Sequence, residues 1–225
     1  MIHVLVEGPS ERTLLEEWGE RLLGAQRIRV HPHQGKGALP SNLGERPRPK
    51  RRGLLDQLPA KLRGFARSSQ PGTHQVLVLI DADRDDPVEL AGRISAAATN
   101  VAPDLSVAVC VAVEETEAFY LGDLAALRRA FPSADMSKAR AYEPDSVVGT
   151  WELFGEIVRD PGGNKVAWAE AMSPVLTIEP ARSRSPSFRC LVRTLSRFEP
   201  QRPAARKPRR HRHLSRKERK PSGRR

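Results

Sequence analysis

Three apolar runs in this chain each end directly on an acid. IHVLV (residues 2–6) meets Glu7, QVLVLI (75–80) meets Asp81, and LSVAVCVAV (105–113) meets Glu114. Short runs that are apolar at almost every position read as strands buried on both faces. Between them the apolar period changes to that of a helix. Leu14, Leu15, Trp18 and Leu22 share one helical face, with Ser10 expected as the N-cap and Gly24 as the stop. Leu54, Leu55, Leu58, Leu62 and Phe65 form a second such face, closed by Pro71-Gly72. Further helices are expected over 87–98 and 116–130, and a weaker strand over 27–31. Buried strands alternating with helices define an α/β chain with a mostly parallel sheet of about four strands, covered by helices on both faces. Residues 133–165 are less regular, 166–172 and 187–198 read as helices, and the basic, proline-broken stretch 44–53 (GERPRPKRRG) reads as a mobile loop.

In a parallel sheet all strands end along one edge, and ligands and catalytic groups collect there. Glu7 (with Glu11), Asp81, Asp83 and residues 114–117 (EETE) are therefore expected to converge. Several carboxylates at one edge repel one another unless a cation sits among them, and a hard divalent ion with oxygen ligands, Mg²⁺ or Mn²⁺, is the natural partner. Each acid also has a plainer reading. Glu11 in a first helical turn is favoured by the helix dipole alone. Asp81, Asp83, Asp85 and Asp86 would make a solvated acidic loop, and the stretch is no EF-hand, because its sixth position is Asp86 and its twelfth Gly92. The signal lies in the conjunction.

Charge divides the chain. The formal net charge is +11, and residues 201–225 alone carry 12 Lys/Arg against the single acid Glu218. The 200 residues before them balance to zero. Basicity thus belongs to a tail with almost no apolar residues, expected to be disordered. Its Arg209, Arg210 and Arg212 are candidate phosphate contacts, set against a tail that is a neutral extension. The organisation expected is an α/β domain over 1–198, with a core over 1–130 and a helical extension over 131–198, followed by the tail over 199–225. Cys110 and Cys190 lack metal-type spacing and read as reduced, packed thiols. The first apolar run meets Glu7 too soon for a signal peptide, and no run approaches the roughly 18 residues of a membrane span, so a cytoplasmic protein with no membrane partner is expected. Aromatic residues are 5% of the chain and are not interleaved with basic ones, so no base-stacking platform is visible.

The pairing of VEGPSE (residues 6–11) with LIDAD (79–83) resembles the Toprim domain shared by topoisomerases, bacterial primases and overcoming-lysogenization-defect nucleases. More closely, the chain resembles the bacterial Toprim-like family called domain of unknown function 4276. That closer likeness rests on Gly35-Lys36-Gly37, on ETEAFYLGD (115–123), where Phe119 replaces a usual tryptophan, and on SRSPSF (183–188). The resemblance spans roughly residues 1–198. It implies a Toprim-like fold, with Glu7 as catalytic acid or metal ligand and Glu11 as auxiliary ligand. Asp81 and Asp83 would bind the metal, and Glu117, with Glu114 as the alternative, would complete the cluster. Lys36 would contact phosphate and assist catalysis, with Lys165 a second phosphate contact; both lysines read equally as solvated surface groups.

The function this implies is Mg²⁺-dependent hydrolysis of DNA or RNA, in defence against phage or plasmid and beside an ATPase partner. The alternative is a non-catalytic nucleic-acid-binding or partner-docking module with a structural or vestigial metal site. A phosphotransferase or phosphohydrolase acting on small molecules fits Asp81-x-Asp83 alone.

Overall fold

The alternation hidden in the all-apolar strands becomes visible once both faces of the sheet are filled. A computed structural model describes residues 1–25, 27–68, 74–146 and 149–198. Strands β1 (Ile2–Val6), β2 (Ile28–Pro32), β3 (Gln75–Asp81) and β4 (Ser106–Ala112) form one sheet in the order β2-β1-β3-β4. Every pairing is parallel, with Val4 opposite both Val30 and Leu77, and Leu79 opposite Cys110.

One face presents Val4, Val6, Leu77, Leu79 and Cys110 to helices α1 (Pro9–Leu23) and α9 (Pro186–Arg197). The other presents Leu5, Val76, Val78 and Ile80 to α2 (Leu54–Ser68) and α3 (Pro87–Val101). Period-2 side chains with an apolar neighbour on each side produce the unbroken apolar runs of the sequence. Five further helices follow β4 among the described residues: α4 (Glu117–Gly122), α5 (Leu124–Ala130), α6 (Met136–Ala141), α7 (Thr150–Val158) and α8 (Lys165–Met172). They extend the first core rather than forming another: Phe154, Trp168, Met172 and Phe188 belong to the same buried cluster as Val4 and Leu14. Among the described residues no helix is long and apolar enough to cross a membrane.

Several local expectations are corrected. Helix α1 is capped by the backbone of Gly8 rather than by Ser10, because Pro9 fits the first helical position and draws Ser10 inside the helix. The helix expected over 116–130 breaks at Asp123, whose carboxylate caps α5 through the Ala126 N–H and also accepts the Thr177 N–H. That break lets Gly122 lie against the later serine-rich stretch. A Cβ there would come within 3.0 Å of the Ser185 backbone nitrogen, and the Gly122 carbonyl accepts the Arg184 N–H at 2.9 Å. Two short helices, α6 and α7, occupy the stretch expected to be less regular; α7 is bounded by left-handed residues at Gly149 and Arg159. Cys110 is buried, but Cys190 is exposed rather than packed. Pro71-Gly72 and the 199–225 tail lie outside the described residues.

Candidate metal centre at the strand edge

The acids do gather where the parallel topology sends them. Glu7 leaves the end of β1, and its Oε1 accepts the Asp81 backbone N–H at 2.9 Å, joining the ends of the two central strands. Glu11 stands one helical turn along α1, buried, with Oε1 accepting from Ser10 Oγ at 3.1 Å and Thr116 Oγ1 at 3.4 Å. Glu117 opens α4 and is 1% exposed. The second oxygens of Glu11 and Glu117 are buried and accept no hydrogen bond. Nor is there a side chain on Gly8 to fill the space beside Glu11: a Cβ there would sit 3.2 Å from Oε2.

Electrostatics report the same convergence. Burial pushes Glu7 up to about 7, and the Asp83 and Glu11 charges add to the push while the Asp81 N–H opposes it. Burial likewise raises Glu117 to about 7, against the pull of Lys165 and with the help of Glu115 and Glu11. Asp81 is raised well above the carboxylate range by burial, then by Glu7, Glu11 and Glu117. Tyr120, one turn beyond Glu117, has its phenol held neutral by burial and by the charges of Glu117, Glu11 and Asp81. Burial without compensation disfavours charge, so these are groups that either hold protons or await a cation.

Two lysines supply part of that compensation. Lys165, at the start of α8, lies 3.5 Å from both Glu115 Oε1 and Glu117 Oε2, over the ring of Trp151. Burial works against its charge, but Glu117, Glu115, Asp81 and Glu11 outweigh it and raise its pKa. Lys36 crosses from the loop after β2 to donate to the Ala82 carbonyl at 2.8 Å and to Asp83 Oδ2 at 3.0 Å, and it pairs with Asp85 Oδ2 at 2.8 Å. Asp83 sits in the left-handed region at φ 52° with its side chain half exposed.

The structure therefore brings Glu7, Glu11, Asp81 and Glu117 into one cluster and sets Asp83 at its margin, held by Lys36. Among the described residues, no three His, Cys, Asp or Glu side chains stand where they could together hold a metal ion, so the acids would have to draw closer to share one. Glu114 plays a different part: its Oε2 accepts from Tyr142 Oη and from Thr150 Oγ1, a buried brace between β4 and α7. Glu115 accepts the Trp151 N–H at 2.8 Å. Tyr120, Tyr142 and Thr150 were not singled out by the sequence, and Asp85 only as part of an acidic loop. Tyr120 alone carried a signal, three residues from Glu117 on one helical face. Arg209, Arg210 and Arg212 lie outside the described residues.

The chain is thus an α/β protein whose four-stranded parallel sheet carries buried carboxylates at its carboxyl edge. Residues 6–196 match the family described as Domain of unknown function (DUF4276), and the chain belongs to that family. No curated relative and no solved structure matches it.

Proposed function

We propose that the protein is a Toprim-like, divalent-cation-dependent nuclease acting on DNA or RNA. The observation that carries this reading is the pair of buried oxygens on Glu11 and Glu117 that accept no hydrogen bond, the second offset only by Lys165 at 3.5 Å, in a cluster in which Glu7 and Asp81 are also pushed toward protonation. An acidic loop at a protein surface has no reason to bury its carboxylates unsatisfied. The donor set is all oxygen, which suits Mg²⁺ or Mn²⁺. Glu7, Glu11, Asp81 and Glu117 would hold the ion, with Asp83 available from the margin. Once bound, such an ion supplies Lewis-acid stabilisation for phosphodiester hydrolysis.

The chain's own groups have separable roles in this reading. Glu7, titrating near neutrality, is placed to take or hold a proton at the end of β1. Lys36 puts a cation on Asp83, and Asp83 lines a small cavity of about 150 Å³ together with Arg84, Glu114, Glu115 and Gly149. Lys165 keeps part of the acidic charge balanced.

The test is cleavage of end-labelled single- and double-stranded DNA and RNA with Mg²⁺, Mn²⁺ or chelator. Metal-dependent cutting that disappears in Glu7→Gln and Asp81→Asn supports the reading; no cutting of any substrate with either metal overturns it. A non-catalytic binding module is the second reading. The specific observation favouring it is that Lys165 already places a cation beside Glu117. It requires nucleic-acid binding that survives both substitutions without cleavage.

A further inference from the structure

The basic stretch 44–53 has no part in the carboxylate cluster, yet it is folded back beside it. The Gln34 N–H donates to the Arg52 carbonyl at 3.0 Å, and the Leu54 and Leu55 N–H groups donate to the Gly35 and Lys36 carbonyls at 2.8 Å. Gly37 and Gly53 touch backbone to backbone, so closely that a Cβ on Gly53 would stand 2.5 Å from Gly37 Cα. Gly37 also has φ 66°, where glycine is favoured. Gln57 Nε2 holds the Arg51 carbonyl, and Arg52 Nε donates to Pro49 at 3.1 Å.

The result is a cleft of about 680 Å³ between the end of β2, this stretch and α2, lined by His33, Gln34, Arg48, Arg52, Gln57 and Lys61 together with prolines. No acid lines it. Lys61 is half-buried, and no acid pairs with it or with Arg48 among the described residues. Burial lowers the Lys61 pKa with nothing opposing it. His33 forms the inner wall: Nδ1 binds the Val6 carbonyl at 2.7 Å, and the buried Nε2 has no partner. The cleft adjoins the carboxylate cluster through the backbone. The Val6 carbonyl accepts the His33 N–H, the Glu7 carbonyl accepts the Gly35 N–H, and Pro9 lines the rim.

We propose that this cleft seats the phosphate backbone of a nucleic-acid strand and leads it to the carboxylate edge. Lys61, half-buried with no acid paired to it, and the exposed Arg48 and Arg52 put three cations along a cleft that no acid lines; such a row beside the Gln34 and Gln57 amides suits successive phosphates rather than base edges. The inference rests on the nuclease reading for its direction, but its test does not depend on cleavage.

The test is the anisotropy of a fluorescein-labelled single-stranded 20-mer titrated with the full chain in EDTA, at several salt concentrations. Arg48→Gln/Lys61→Gln is compared with Arg128→Gln/Arg193→Gln, which removes the same charge from exposed sites on α5 and α9. The cleft pair is expected to weaken Kd about tenfold and to reduce the magnitude of the salt slope by about 1.4, at about 0.7 for each single-strand phosphate no longer neutralised. The tail is present in both variants and cancels. Restoring charge with Arg48→Lys/Lys61→Arg is expected to restore affinity. Equal weakening in the two pairs, or none in the cleft pair, overturns the proposal. So does displacement of the strand by inorganic phosphate at equal phosphate concentration, which would mark a free-phosphate site. Binding through the cleft without cleavage sinks only the nuclease reading; cleavage and affinity unchanged in the cleft pair sink only this one.

Discussion

Glu7 Oε1 accepts the backbone N–H of Asp81 at 2.9 Å, across 74 residues of sequence. The contact ties the carboxyl ends of β1 and β3 and places a carboxylate where its charge meets Asp83 and Glu11. Glutamine keeps a carbonyl oxygen for the same hydrogen bond and removes the charge. An unfolded Glu7 ionises near 4.5 and the folded one near 7, so the fold loses stability as pH rises through that window and carries the full penalty above it. Glu7→Gln is therefore expected to raise the metal-free melting temperature at pH 8 by a few degrees, for about 1–2 kcal/mol, with little gain at pH 4.5. Cleavage, where wild type shows it, should fall at least a hundredfold. A less stable variant at pH 8 would refute the electrostatic account of this residue.

The same acids set how a divalent ion should act on stability. A cation binds carboxylates that have given up their protons, and Glu7, Glu117 and Asp81 hold theirs to unusually high pH. The rise in melting temperature on adding 5 mM Mg²⁺ is thus expected to be small at pH 5.5 and to grow through pH 7 to 8. Because each comparison is made at one pH, groups elsewhere that titrate in the same range cancel. A Mg²⁺ effect that is flat across this range, or largest in acid, would place the ion elsewhere.

Lys165 is the cation the chain already supplies. Removing it by Lys165→Met leaves Glu117, 1% exposed, without its nearest counter-charge. Such a loss is costly when the remaining charge must stay ionised, but Glu117 titrates near 7 and can escape by taking a proton. The cost should be slight at pH 5.5 and rise to about 1–3 kcal/mol at pH 8, measured by urea unfolding. An equal cost at both values would show that Lys165 works through Glu115 or through packing on Trp151 instead of through the charge of Glu117.

The strand edge was legible in the sequence because its logic is local: an apolar run fixes a buried strand, and the next residue must then lie at that strand's end. Parallel pairing did the rest for Glu7, Asp81 and Glu117. Asp83 was harder, since its left-handed backbone and its pairing with Lys36 depend on where the β2 loop crosses. Glu114 carries the same acid signal as Glu117 yet is taken up by Tyr142 and Thr150, from a stretch whose short helices leave little periodicity to read. The basic stretch 44–53 read as a loop because composition alone does not disclose that Gly37 and Gly53 clasp it to the sheet.

His3 forms a second titrating cluster on the face of β1 that meets α2. Its Nδ1 lies 2.9 Å from His31 Nε2 and its Nε2 lies 2.5 Å from His74 Nδ1, with the ring stacked on Phe65 at 4.3 Å between centroids. Each contact needs one protonated and one bare nitrogen, so the three rings can carry at most one extra proton between them before N–H meets N–H. Burial, then His31, His74, the N-terminal ammonium and Arg29, hold His3 down to about 4; burial, Lys61, Arg29 and His33 do the same for His31. An unfolded histidine takes its proton near 6.5, so the folded state is favoured above that value and loses this advantage as pH falls toward 4. The carboxylate cluster works in the opposite sense over an overlapping range, which makes the raw acid profile a difference of two effects. His3→Gln separates them. Relative to wild type it should cost most at pH 7.5 and progressively less down to pH 4.5 by urea unfolding, while the imidazole resonances of His3 and His31 in wild type show no titration above about pH 5. A His3 resonance titrating near 6.5 would mean that the three rings are not locked together in solution.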